Sequence, residues 1–154
     1  MINKAIKIIL ICLLFIFISI QFFRPEKNIN TAIASPSLDN VVKVPDSVRH
    51  ILKIACNDCH SNNTKYYWYH EIMPIGWYLA EHVEDGKKHL NFSEFSNYTQ
   101  KKQDHKLEEI VEEIEKHDMP LSTYTWIHRE AKLNTQQQQL LIDWVKNARK
   151  EIAQ

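Results

Sequence analysis

The sequence predicts an all-α domain, and three observations carry that prediction. No segment of useful length alternates apolar and polar residues with the period of a strand. Only two glycines occur among the 154 residues. Several segments instead repeat their apolar residues at helical spacing.

The chain opens with Lys4 and Lys7 before an almost unbroken apolar run over residues 8–23. A helix over residues 5–23 would be about 28 Å long, close to the thickness of a bilayer's hydrocarbon core. Residues 1–23 are therefore expected to form a membrane anchor or an export signal. Ala32-Ile33-Ala34 resembles a cleavage box, but Arg24, Pro25, Glu26 and Lys27 separate it from the apolar run, which favours an uncleaved anchor. Cys12, with no small-residue lipobox before it, reads as an apolar filler. Residues 24–45 carry Pro25 and Pro36 and no apolar period, so they read as a tether.

The domain then spans residues 46–154. Its first helix starts near Pro45-Asp46, with Asp46 or Ser47 as cap, and places Val48, Ile51, Leu52 and Ala55 on one face. A second is expected to start at Pro74, to carry Trp77, Tyr78, Leu79 and Val83, and to stop at Gly86. Asn91 with Glu94 is another start signal. Residues 104–117 form the clearest amphipathic segment, with Leu107, Ile110, Val111 and Ile114 in one stripe and five glutamates on the other faces. Those acids read as a solvated face, with a docking patch for a basic partner as the alternative. The last helix opens on a capping box of Thr135 and Gln138 and is expected to bury Leu140, Leu141, Trp144, Val145, Ala148 and Ile152.

Past Phe23, setting aside Lys4 and Lys7 leaves 17 basic residues against 19 acids, a net of −2. No basic footprint for nucleic acid exists.

The chemistry concentrates in Cys56-Asn57-Asp58-Cys59-His60. Two thiols two residues apart can reach both vinyl groups of one porphyrin from a single helical turn, and the imidazole that follows can point at its iron. On this reading Cys56 and Cys59 are thioether anchors of a covalently bound haem c and His60 is its proximal ligand. A redox-active dithiol and a half-built zinc site use the same atoms and stay open as alternatives. With Cys56 and Cys59 committed, no cysteine pair remains for a disulfide, and a buried porphyrin would help to hold so small a domain together.

The other iron ligand is sought among Met73, Met119 and the remaining histidines. Met119 lies far from His60 in sequence, at the end of the clearest helix, in Asp118-Met119-Pro120-Leu121. Pro120 stiffens that backbone, which suits a distal thioether. Met73, only 13 residues after His60, reads as a core filler. His82 and His117 are the secondary candidates, and His50, His70, His89, His105 and His128 read as ordinary polar residues. Aromatic residues crowd the same stretches: Tyr66-Tyr67-Trp68-Tyr69, Trp77, Tyr124 and Trp126. A porphyrin pocket needs such walls, and Trp126 or a nearby tyrosine could donate to a propionate.

Cys56-Asn57-Asp58-Cys59-His60-Ser61-Asn62, with Trp68-Tyr69, Pro74, Trp77, Met119-Pro120-Leu121, Trp126-Ile127-His128 and Leu140-Leu141-Ile142-Asp143-Trp144, resembles the bacterial haem-binding-domain family of short, membrane-tethered c-type cytochromes. The resemblance implies one haem c in a single all-helical domain facing the periplasm. A looser similarity to class I cytochromes c implies that the carbonyl of Pro74 takes the Nδ1 proton of His60. It also implies that the first and last helices of the domain cross.

Together these readings lead to the expectation of a monohaem electron carrier on the bacterial inner membrane, ligated by His60 and Met119 and working with a redox partner protein in the periplasm or membrane. A soluble periplasmic form after cleavage is the alternative location. A haem-based gas or redox sensor, or a haem enzyme with an open sixth position, is the alternative function, and a colourless interaction protein with a Cys56–Cys59 disulfide is a second. No catalytic residue can be picked out.

Overall fold

A computed structural model describes residues 3–30 and 37–153. The candidate cleavage box at 32–34 lies outside the described residues. Among them the chain is all-helical, with no strand and one isolated bridge between Ile29 and Asn63. Seven α-helices follow in order: α1 (Lys4–Ile20), α2 (Asp46–Ala55), α3 (Asn57–His60), α4 (Ile75–His89), α5 (Gln100–Glu115), α6 (Ser122–Ile127) and α7 (Thr135–Ile152). Four 3-10 turns link them, at Leu38–Asn40, Trp68–Glu71, Phe92–Asn97 and Arg129–Ala131.

The core joins the faces that periodicity marked. Val48, Ile51, Leu52 and Ala55 of α2 share one buried cluster with Leu141, Trp144 and Val145 of α7, so the first and last helices of the domain pack together as expected. α5 packs along α7 through Leu107 and Ile114, with Ile110 and Val111 half-buried. At its edge Arg149 of α7 forks onto both oxygens of Asp104 and reaches Glu108. Leu140 departs from expectation: it is 41% exposed, and Ile142 is buried in its place.

Helix limits differ from the sequence reading where a cap is local. α5 begins earlier, on a Thr99 hydroxyl that accepts from the Lys102 amide. α7 is capped by the reciprocal pair Asn134 and Gln137, one residue before the expected pair. α5 ends in a Schellman turn, with the Asp118 amide on the Glu113 carbonyl and the His117 amide on Ile114. His117 takes the left-handed position there, at φ 60°.

The segment expected to be a loose tether is partly built in. Leu38, Val42 and Val44 are buried in the core, and the Lys43 carbonyl accepts the indole N–H of Trp144. α1 is shorter than the 19 residues expected, at 17, and no described helix is long and apolar enough to cross a membrane. Its apolar side chains are nonetheless exposed on every face.

Candidate haem site

The thiols and the imidazole sit on one closed turn. The Cys56 carbonyl accepts the amides of both Cys59 and His60, so the three side chains leave one short turn, Cys56 from the N-cap of α3 and the other two from the helix itself. Its open C-terminal carbonyls are satisfied locally: Ser61 Oγ donates to the Asn57 carbonyl at 2.7 Å and Thr64 Oγ1 to that of Asp58 at 2.6 Å. The third, that of Cys59, faces Gly86 of α4, where a Cβ would come within 2.7 Å of it. Gly86 therefore does not end α4. It lies inside the helix and lets α4 press against the motif.

His60 is half-buried, and its Nδ1 lies 3.0 Å from the Leu90 carbonyl, at the C-cap of α4. A carbonyl only accepts, so Nδ1 carries the proton and Nε2 keeps its lone pair for a metal. The acceptor is thus Leu90 and not Pro74, which instead caps the N-terminus of α4. Any residue's carbonyl could fill this role, so side-chain identity held no signal for it. Burial holds the His60 pKa below its ordinary value, against the opposing pull of the Leu90 and Gly86 carbonyls. The segment after Leu90 is fastened to the motif as well. Asn62 receives the Asn91 amide group on its Oδ1, donates to Glu94, and offers its backbone amide to Ser93 Oγ.

Asp58, between the two cysteines, links the motif to α6. Its Oδ2 accepts the Tyr124 hydroxyl at 2.8 Å and its Oδ1 the Lys65 amide. Burial, reinforced by this bond to a carboxylate, raises the Tyr124 pKa. Met119 is half-buried just before α6, its amide directed at the Glu113 carbonyl. The Tyr124–Asp58 bond therefore holds the element that follows Met119 against the attachment turn.

Beside this link Tyr67, Tyr69 and Tyr124, three of the aromatic residues that crowd these stretches of sequence, gather around His128, which reads there as an ordinary polar residue. His128, at 5% exposure, is buried rather than superficial, and its Nε2 lies 2.5 Å from the Tyr69 hydroxyl. Its ring stacks on Tyr124 at 4.3 Å and tilts against Tyr67 at 4.5 Å. Tyr69 and His128 stand 59 residues apart, beyond any local rule. The tryptophans chosen as pocket walls behave differently. Trp68 is 76% and Trp126 80% exposed, while Trp77 sends its indole N–H to the Phe23 carbonyl at the foot of α1.

The residues present fit a haem group. Both motif cysteines are free, and burial pushes the Cys56 thiol up to about 12 and the Cys59 thiol to about 11, the neighbouring cysteine and Asp58 respectively adding to it. Among the described residues no three His, Cys, Asp or Glu side chains converge as a metal cage. An imidazole with a free Nε2 on such a turn can ligate one iron.

A helical domain that offers two thiols and an oriented imidazole from a single turn defines a haem-binding class of protein. The chain belongs to the haem-binding domain family, whose model matches residues 15–147. No curated protein and no solved structure matches it.

Proposed function

We propose that this protein is a membrane-attached monohaem c-type cytochrome that carries single electrons for a redox partner protein on the periplasmic side of a bacterial inner membrane. The observation that carries the reading is the attachment turn: two free thiols and an imidazole whose Nδ1 is already committed to Leu90. Bound haem supplies the one-electron couple. The chain's own residues do the rest. Cys56 and Cys59 fasten the group, His60 offers Nε2, and the Leu90 carbonyl fixes the ring's orientation and strengthens Nε2 as a donor.

Met119, whose half-buried side chain precedes an element tied to Asp58, would supply the second protein ligand to the iron. A thioether with the imidazole would give the bound haem a higher potential than two imidazoles would. The membrane assignment rests on α1. A helix apolar on all faces and exposed on all faces must be covered by something, and lipid suits a 17-residue helix whose 13 residues after Lys7 carry no charge.

The test is the absorption spectrum of the dithionite-reduced protein, made with a c-type maturation system, before and after carbon monoxide. A low-spin spectrum unmoved by the gas is expected. Met119→Ala should keep the covalent haem and open the sixth position to carbon monoxide. An unchanged spectrum in that variant removes Met119 from the iron, and wild-type protein that binds the gas at once favours a sensor or enzyme instead.

A further inference from the structure

We propose that the first turn of α4 and the foot of α1 form one lipid-facing platform, so that the haem domain lies docked on the bilayer surface and does not swing below it. The inference rests on the reading that α1 lies in lipid.

The connection between α1 and the domain is clipped. Gln21 makes a two-way amide pair with the backbone of Met73, its Nε2 on the Met73 carbonyl and its Oε1 under the Met73 amide, both at 3.0 Å. Two residues later the Phe23 carbonyl accepts the Trp77 indole at 2.6 Å. Arg24 and Lys27 both pair with Glu71. Asn28 then inserts its amide between the Ser61 carbonyl and Thr64 Oγ1, and receives Lys87 on its Oδ1. The ion pairs are exposed and individually weak. The Gln21 and Asn28 bonds are part-buried, and they hold the chain at two points on either side of those pairs.

This clip brings apolar surface together at one level. Phe22 and Phe23 are 82% and 70% exposed where α1 ends, and Ile75, Trp77 and Tyr78 are exposed on the first turn of α4. Two tyrosine or tryptophan rings beside phenylalanine and isoleucine, directly continuous with an apolar helix, have the chemistry of a membrane-water interface. Charge along α4 is graded in the same sense. Its first turn has no acid, its first charged residue is Glu81, and its last turn holds Lys87, Lys88 and His89. Gly86, which touches the attachment turn, lies 11 residues beyond Ile75, about 16 Å further along the helix. The platform would therefore set how far the haem stands from the lipid.

The experiment uses full-length, haem-loaded protein carrying Cys12→Ala, in phosphatidylcholine–phosphatidylglycerol vesicles. Nitroxide labels are placed singly through Ile16→Cys, Ile75→Cys, Tyr78→Cys and Glu84→Cys. Power saturation compares oxygen, which partitions into lipid, with a water-soluble nickel chelate. Labels at 16, 75 and 78 should be relaxed several-fold more by oxygen, and the label at 84 by nickel. If 16 favours oxygen while 75 and 78 behave like 84, the platform is refuted and the anchor stands. If 16 also favours nickel, the anchor reading fails and the platform with it. Labels at 75 and 78 shielded from both reagents would mean that protein covers the patch, which overturns the inference. As a second variant, Gln21→Ala should loosen the clip and shift the label at 75 towards nickel while the label at 16 keeps its preference. No change at 75 would refute the role given to the clip.

Discussion

Gly86→Ala tests the account of the attachment site at its tightest point. An added Cβ would lie 2.7 Å from the Cys59 carbonyl oxygen and 3.2 Å from its Cβ. The first distance is about 0.6 Å inside a close C–H···O contact of ~3.3 Å. The opposing atom is backbone, so no rotamer change relieves the clash. α3 or α4 must move. Overpacking of this kind costs about 1–3 kcal/mol, while replacing glycine by alanine inside a helix returns about 1 kcal/mol. Because α3 is also held by Ser61, Thr64 and Asp58, retreat is restricted, and a net loss of about 1 kcal/mol is expected. Urea unfolding followed by far-ultraviolet circular dichroism measures it. The same displacement should disturb the Leu90 carbonyl on His60 and alter the reduced haem spectrum. A variant more stable than wild type by the ~1 kcal/mol that propensity alone supplies would show that the contact is loose and refute the reasoning.

Other perturbations have directions that the structure also sets. Tyr124→Phe removes the hydroxyl from the Asp58 carboxylate while leaving the ring on His128, and should cost about 1–2 kcal/mol in denaturant melts, with haem attachment retained. His117→Gly relieves a left-handed backbone at the end of α5, and a thermal melt should show a gain of about 0.5–1 kcal/mol after the glycine's greater unfolded freedom is counted. The Arg149 guanidinium holds Asp104 below the ordinary carboxylate range. A depressed folded pKa stabilises above the unfolded value of about 3.9 and ceases to do so as pH falls through the folded one. The advantage of wild type over Arg149→Met, at most about 1 kcal/mol for so exposed a pair, should therefore be present at neutral pH and vanish in strong acid.

What the sequence made legible was what repeats or what chemistry demands. The apolar stripes of α2, α5 and α7 declared themselves by period, and the Cys56–Cys59–His60 spacing marked the turn on which the structure gathers two thiols and an imidazole. Residues 37–44 were read as tether because a 3-10 turn and an extended segment bury Leu38, Val42 and Val44 without any regular spacing. Leu90 could not be singled out, since a backbone carbonyl bonds Nδ1 whatever the side chain. Tyr69 and His128, and likewise Asp58 and Tyr124, meet only through the tertiary fold. Gly86 departs from the expected helix stop for a reason internal to glycine. The missing side chain that stops a helix also admits a neighbour, and only the position of Cys59 distinguishes the two uses.

Two departures from the sequence reading meet on α4, whose two ends do different work: Leu90 and not Pro74 accepts from His60, and Gly86 lies inside the helix and does not end it. At one end Pro74 caps the turn from which Trp77 reaches the foot of α1. At the other, Gly86 admits the attachment turn and Leu90 orients His60. A single helix thus joins the apolar N-terminal segment to the imidazole. Any shift of α4 along its axis would move the Leu90 carbonyl with it, while His60 is held separately by the Cys56 carbonyl. The Nδ1 bond is therefore the point where such a shift would be felt. Trp77 ties α4 directly to the base of α1, and Asn28 reaches both α4, through Lys87, and the motif itself, through the Ser61 carbonyl.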